Sequence, residues 1–223
     1  MSLWIKICGN TSLADARLAV DAGADAVGFV FAPSPRQVTV AEAASILSHL
    51  PATVEKIGVF VDADLAEIYS TVRATGLTGV QLHFDAAQEM PAKLRERLGP
   101  ALRILRVLHY EPGPAKQLQA QLAEHAGNPH IDAVLVDSRT AAAAGGTGVA
   151  FDWPNARNII FSNAGRMKLI AAGGLNPANV EKAIKVLEPW GVDVVSGVEA
   201  APGRKDPDKV RDFVTRARAA QQG

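Results

Sequence analysis

Short apolar runs and helix-like segments alternate eight times along this chain of 223 residues. The apolar runs, which we predict to be strands, cover residues 3–8, 26–31, 54–61, 79–83, 102–108, 132–137, 167–172 and 192–196. Runs that are apolar throughout, each followed by a helical segment, are typical of parallel strands covered by helices. Eight such units at this length favour closure into an α/β fold, the (β/α)8 barrel or TIM barrel, although an open doubly wound sheet has the same alternation.

Composition limits the cellular setting and the partners of the chain. The formal net charge is zero and charges of both signs are interspersed, which argues against binding to nucleic acid or to an anionic membrane. The single cysteine, Cys8, excludes an internal disulfide and fits a reducing compartment. No apolar stretch approaches the roughly 18 residues that a membrane span requires, and no secretory leader is evident. We expect one soluble, cytoplasmic barrel domain over residues 1–223.

Polar residues near the carboxyl ends of the strands are the first candidates for a functional site, because barrel enzymes place their chemistry there. The residues that strand alternation is expected to turn inward are Lys6, Cys8, Asp62, Gln81, His83, Arg106 and Asp137. Buried charges need partners or water, so these groups form either one structural network or a polar pocket at the barrel mouth. The two interpretations are compatible. Asp62 is also the expected N-cap of the helix after the third strand.

Glycine-rich loops after the last two strands predict a phosphate site. Gly173 and Gly174 follow the seventh strand and enter a helix that we expect Asn176 to cap. Ser196 and Gly197 follow the eighth strand. Barrels often bind phosphate with these two loops, since glycine lets the backbone approach the oxygens and unpaired N–H groups attract the anion.

Two further loops carry candidate functions. Pro33 and Pro35 hold Arg36 in an extended segment after the second strand, where its guanidinium suits a planar carboxylate, although surface solvation is the alternative. Residues 138–148 contain an alanine run and several glycines. This segment is either a lid over the pocket or a plain connection.

Nine motifs follow one another from the first strand to the eighth. They are KICG at 6–9, GFVF at 28–31, SPR at 34–36, VQLH at 80–83, VDS at 136–138, GGTG at 145–148, FDW at 151–153, GGLNP at 173–177, and VD with SGVE within 192–199. Together they resemble the phosphoribosylanthranilate isomerase family of tryptophan biosynthesis, and the likeness covers the whole chain.

The resemblance implies an Amadori rearrangement without metal or organic cofactor. N-(5-phosphoribosyl)anthranilate would become 1-(2-carboxyphenylamino)-1-deoxyribulose 5-phosphate, with Asp137 as the general acid and Cys8 as the general base. Arg36 would hold the anthranilate carboxylate, and the other expected contacts to this small-molecule substrate come from Gln81, His83 and Arg106. The protein would act as a monomer or a homodimer.

Both catalytic roles need a particular environment. Cys8 requires a cationic neighbour to become a thiolate near neutral pH, and Lys6 on the same strand face is the candidate. Asp137 must keep its proton, which burial beside the anionic substrate would favour.

Three positions depart from the family pattern, and two other classes of protein remain as alternatives. Phe84, Val149 and Asn10 replace residues that the family usually has, which affects substrate affinity more than reaction type. Other phosphosugar barrels would show catalytic lysine and glutamate, or metal-binding histidine and aspartate, whereas here only His83 and His109 lie near strand ends. A barrel that binds phosphoribosyl groups without turnover is the second alternative.

Overall fold

A computed structural model of the protein contains a closed barrel of eight parallel strands. Strands β1 to β8 pair in chain order and β8 returns to β1, so the barrel prediction is confirmed and the open sheet is wrong. The strands are Trp4–Ile7, Ala26–Val30, Glu55–Phe60, Gly79–Leu82, Arg103–His109, Ala133–Asp137, Lys168–Ala172 and Gly191–Val194. The structure describes residues 2–83, 86–110, 115–137 and 153–221.

Eight helices, α1 to α8, follow the barrel strands among the described residues. They are Leu13–Asp21, Val40–Leu47, Leu65–Thr75, Met90–Leu98, Ala115–Ala126, Trp153–Ile159, Val180–Leu187 and Pro207–Ala220. None of these described helices has the length and apolarity needed to cross a lipid bilayer.

Two of the predicted helix starts are wrong. Asp64, and not Asp62, caps α3 by accepting a hydrogen bond from the backbone of Glu67. Asp64 has the extended backbone of an N-cap, whereas Asp62 has a φ angle of +58° in the turn before it. The segment after β7 makes a turn closed by the Asn176 side chain, so α7 begins at Val180.

Each strand of the barrel is buried on both faces. The interior holds a small apolar cluster of Trp4, Ala26, Ile57, Leu105, Val107, Ala133, Leu135, Ile170 and Ala172. The opposite strand faces join the helices in a larger core. Because both faces are apolar, alternation alone does not reveal which side of a strand faces the interior.

A short hairpin that the sequence pattern does not predict follows β8. A turn of 3-10 helix, Ser196–Val198, is followed by β9, Glu199–Ala201, which pairs with β10, Arg204–Lys205, in an antiparallel ladder. The hairpin returns charged side chains to the carboxyl ends of β1 and β8, where the candidate site lies.

Several sequence predictions lie outside the described residues. These are the alternative roles of residues 138–148 and the departures at Phe84 and Val149. They therefore stay predictions.

Candidate active site

A fully buried lysine organises the inner end of the site. Lys6 is 0 % exposed, and its Nζ donates hydrogen bonds to Gln81 Oε1 at 2.7 Å and Asp193 Oδ1 at 3.0 Å. The side chain of Cys8 lies close enough to interact electrostatically with the Lys6 ammonium. Burial alone would lower the pKa of Lys6, but the negative charge of Asp193 and the interaction with Cys8 outweigh burial and raise it. The ammonium is thus fixed as a cation inside the barrel.

Cys8 lies beside this cation, as the sequence predicts. Its side chain is buried at 3 % exposure just after β1. Burial raises the pKa of the Cys8 thiol, and the opposing pull of Lys6 and Lys205 does not cancel the rise. The expected cationic neighbour is present, but its effect on the thiol is weaker than that of burial. Cys8 therefore needs a more alkaline solution than a free thiol to lose its proton.

The absence of a side chain at Gly28 makes room for these two groups. A Cβ atom built there would lie 2.4 Å from Cys8 Sγ and 3.0 Å from Lys6 Cε. Asn10, one of the departures from the family pattern, donates from Nδ2 to the carbonyl oxygens of Ile7 and Gly28 at 2.8 and 3.1 Å. These bonds fix the turn that carries Cys8.

A second group of titratable side chains lies at the carboxyl ends of β4, β5 and β6. His83, His109 and Asp137 each place one ligand-type atom within 4.8 Å of those of the other two. The imidazole rings of His83 and His109 meet edge to face, with centroids 5.1 Å apart. Asp137 is buried at 2 % exposure, and Gln81 Nε2 lies 3.3 Å from His83 Nδ1. Gln81 therefore links this trio to the lysine network.

Arg36 is already paired with a carboxylate of the protein. Its Nε and Nη2 donate to the two carboxylate oxygens of Glu199 at 2.8 and 2.7 Å, which is the two-pronged geometry expected for a guanidinium. Burial would raise the pKa of Glu199, but Arg36 and Lys205 together lower it. Lys205 Nζ also donates to the backbone oxygen of Cys8 at 2.6 Å. The hairpin of β9 and β10 thereby connects Arg36 to the Cys8 turn.

The glycines in the loops after β7 and β8 differ in their surroundings: Gly174 faces open space, and Gly197 packs closely against backbone. Gly173 and Gly174 have φ angles of +83° and +67°, which favour glycine, and no atom lies within 4 Å of a Cβ built on Gly174. A Cβ on Gly197 would lie 1.9 Å from the backbone oxygen of Leu175. The two loops therefore meet backbone to backbone and leave open space beside Gly174.

Comparison with known proteins decides the family. Residues 5–216 match the family model described as N-(5′-phosphoribosyl)anthranilate (PRA) isomerase. The chain belongs to the PRA isomerase family.

Relatives and solved structures agree with this assignment over nearly the whole length. An N-(5′-phosphoribosyl)anthranilate isomerase of Pelobacter propionicus is 44% identical over 211 residues, 94% of this chain and 93% of that protein. The crystal structure of phosphoribosyl anthranilate isomerase from Thermotoga maritima has a TM-score of 0.84 and 35% identity, with 97% of this chain and 99% of that chain covered. Another isomerase structure, in complex with reduced 1-(o-carboxyphenylamino)-1-deoxyribulose 5-phosphate, has a TM-score of 0.79 and 33% identity, with the same coverage.

Arg106 and Asp62, which were predicted to face the barrel interior, do not face it in this PRA isomerase barrel. Leu105 and Val107 belong to the interior cluster, so Arg106 faces the helices, where its Nη1 lies 3.3 Å from the backbone oxygen of Ala86. It lines an outer cleft between α4 and the end of α5, away from Cys8. Asp62 is exposed, with a φ angle of +58° in the turn after β3.

Proposed function

We propose that this chain catalyses the PRA isomerase reaction with Cys8 as the general base and Asp137 as the general acid. Membership of the family makes the chain an isomerase of tryptophan biosynthesis. The observation that supports the two roles is the placement of a buried thiol and a buried carboxyl at the carboxyl ends of β1 and β6, on inward strand faces. Barrel enzymes carry out catalysis at this end.

The reaction needs one proton delivered and one removed. Asp137 protonates the furanose ring oxygen, the C1–O bond breaks, and the nitrogen lone pair forms a Schiff base at C1. Cys8, as a thiolate, then removes the proton from C2, and the electron pair moves to give an enolamine. The C2 hydroxyl loses its proton as C1 gains one, which yields the ketone, so the rearrangement is neutral in atoms and electrons. A proton transfer of this kind contributes about 10²–10⁴-fold to rate.

The remaining residues bind the two ends of the substrate. The backbone of Gly173, Gly174, Ser196 and Gly197 would receive the phosphate, since this face is open beside Gly174. Arg36 would receive the anthranilate carboxylate. Because Glu199 already holds the guanidinium by Nε and Nη2, the cation is oriented before the substrate arrives.

Turnover of freshly made phosphoribosylanthranilate, followed by loss of its fluorescence, tests this proposal. The pKa of Cys8 is raised by burial, and the thiolate is the active form, so kcat/KM should increase with pH on passing from neutral to above the ordinary thiol value. The pH profile of kcat/KM measures this. A tight complex with product but no turnover would instead indicate a barrel that only binds its ligand, and a flat profile would contradict Cys8 as the base.

The Arg36→Ala variant should bind the anthranilate group poorly. Charge-assisted hydrogen bonds contribute about 1.5–3 kcal/mol, so we expect KM to rise about 10- to 100-fold with kcat much less affected. Arg36→Lys is the matched control, since it keeps the charge and loses the two-pronged geometry, and its KM should be intermediate. An unchanged kcat/KM for Arg36→Ala would reject the carboxylate role.

We further propose that the enzyme works on this small molecule in the cytoplasm, as a monomer or a homodimer. The free, buried thiol of Cys8 fits a reducing compartment. Light scattering of the purified protein distinguishes the two oligomeric states.

A further inference from the structure

The hydrogen-bond partners of the Gln81 amide determine which of its two terminal atoms is the oxygen and which is the nitrogen. The amide atom that faces Lys6 Nζ, at 2.7 Å, must be the oxygen, because an ammonium group donates hydrogen bonds and cannot accept them. Lys6 is fully buried and also donates to Asp193 Oδ1 at 3.0 Å, so it cannot turn away from this contact. The Gln81 NH2 group is therefore directed away from Lys6.

This NH2 group lies 3.3 Å from Nδ1 of His83. Since the amide nitrogen can only donate, Nδ1 of His83 must accept, and it carries no proton in this contact. A neutral imidazole then has its single N–H at Nε2.

We propose that Lys6 and Gln81 position His83 as a neutral hydrogen-bond donor through Nε2, directed to an oxygen of the bound phosphosugar at the barrel mouth. This inference rests on the proposed function for the identity of the ligand. Gln81 is thus a positioning residue that acts through His83, whereas His83 contacts the substrate. The ring lies within 4.8 Å of Asp137, so the donor and the general acid serve the same end of the ligand.

The assignment separates the roles of the three clustered side chains. A neutral imidazole donates a hydrogen bond without releasing its proton near neutral pH, which leaves Asp137 as the proton donor. His83, His109 and Asp137 have the spacing of metal ligands. A metal ion bound at Nε2 of His83 would, however, have to displace the proton that this tautomer carries there. The trio is therefore better suited to bind an oxygen of the substrate than a cation.

The tautomer can be measured directly by long-range 1H–15N correlation spectra of protein labelled with 15N-histidine. The chain has five histidines, and the His83 signals are assigned as those missing from a His83→Asn variant. We expect a pyridine-type Nδ1 and a pyrrole-type Nε2 for His83 in the ligand-free protein at neutral pH. A pyrrole-type Nδ1, or the pattern of an imidazolium, would overturn the assignment.

Two variants test whether Gln81 sets the tautomer. A carboxylate in Gln81→Glu accepts only, so Nδ1 should shift to the pyrrole type. Gln81→Met has no polar group to donate, and it leaves the interactions of Lys6 with Asp193 and Cys8 in place. Both tautomers of His83 should then be populated, so the Nδ1 chemical shift should lie between the pyridine and pyrrole values. This variant tests the role of Gln81 even if Gln81→Glu fails to fold. A pyridine-type Nδ1 that persists in the folded variants would overturn the positioning role of Gln81.

Product binding tests the donor role separately. Saturation with the ketone product should shift the Nε2 and Hε2 signals of His83, while those of the distant His49 stay unchanged. A bound product that leaves the His83 signals unmoved would overturn this half of the proposal. Because the tautomer is read without turnover, its failure is distinguishable from failure of the isomerase assay.

Discussion

The Asp137→Asn variant is expected to lose about 10²–10⁴-fold in kcat, the usual contribution of a general acid. The amide has the size and shape of the carboxyl group, so the buried position at the end of β6 should remain packed. Asparagine has no acidic proton to deliver to the ring oxygen, and ring opening becomes the slow step. The measurement is kcat from the fluorescence assay, with circular dichroism to confirm that the barrel is folded.

Two comparisons make this result specific. Cys8→Ser should lower kcat by a similar factor, since a hydroxyl is a far weaker base than a thiolate at the same position. Asp62→Asn changes an exposed aspartate in the turn after β3 and should leave kcat within about twofold of wild type. Near-normal turnover in Asp137→Asn would remove Asp137 from the mechanism.

The barrel itself could be predicted because its signal is local and repeated. Eight apolar runs separated by helical segments leave few folds open, and eight units at this length favour closure over the open sheet that has the same alternation. The position of Cys8 next to Lys6 was equally predictable, since two residues on one strand share a face if they are two apart. The first prediction rests on the repetition of one local pattern, and the second on the geometry of a single strand.

Arg106 shows where such reasoning fails. The run around it is apolar on both sides, with Leu105 and Val107 inside the barrel and Ile104 and Leu108 against the helices. Nothing in the sequence pattern distinguishes the two faces of this strand. The prediction that Arg106 faces the interior rested on the assumption that a charged residue points inward, and it was wrong. A long arginine side chain can instead keep its charged end at an outer cleft while its stem is buried.

Contacts between distant elements were also beyond the sequence. Glu199 follows β8, and nothing local indicates that it pairs with Arg36, 163 positions away. Likewise, the contact of Lys205 with the backbone of Cys8 depends on a hairpin formed by very short strands. These contacts depend on how the loops meet at the barrel mouth, which periodicity along the chain does not encode.

The Lys6→Met variant should be the most damaging to the fold. Methionine fills the buried space but leaves the Asp193 carboxylate, 6 % exposed, without its ammonium partner. Breaking a buried ion pair by removing one partner costs about 3–5 kcal/mol, and we expect a loss of that size in the free energy of unfolding at neutral pH. Urea denaturation followed by circular dichroism measures it.

Two further measurements separate the ion pair from packing. The Lys6→Met, Asp193→Leu double variant replaces both charges with apolar groups and should recover much of the lost stability, but not turnover, because Cys8 and Gln81 have lost their common partner. The pKa of Lys6 is raised in the folded protein, so its stabilising effect is complete below the ordinary lysine value of 10.5 and declines as pH rises through the raised value. The stability difference between wild type and Lys6→Met should therefore shrink in strongly alkaline solution. A difference that stayed constant there would mean that the lysine stabilises the barrel by packing and not by charge.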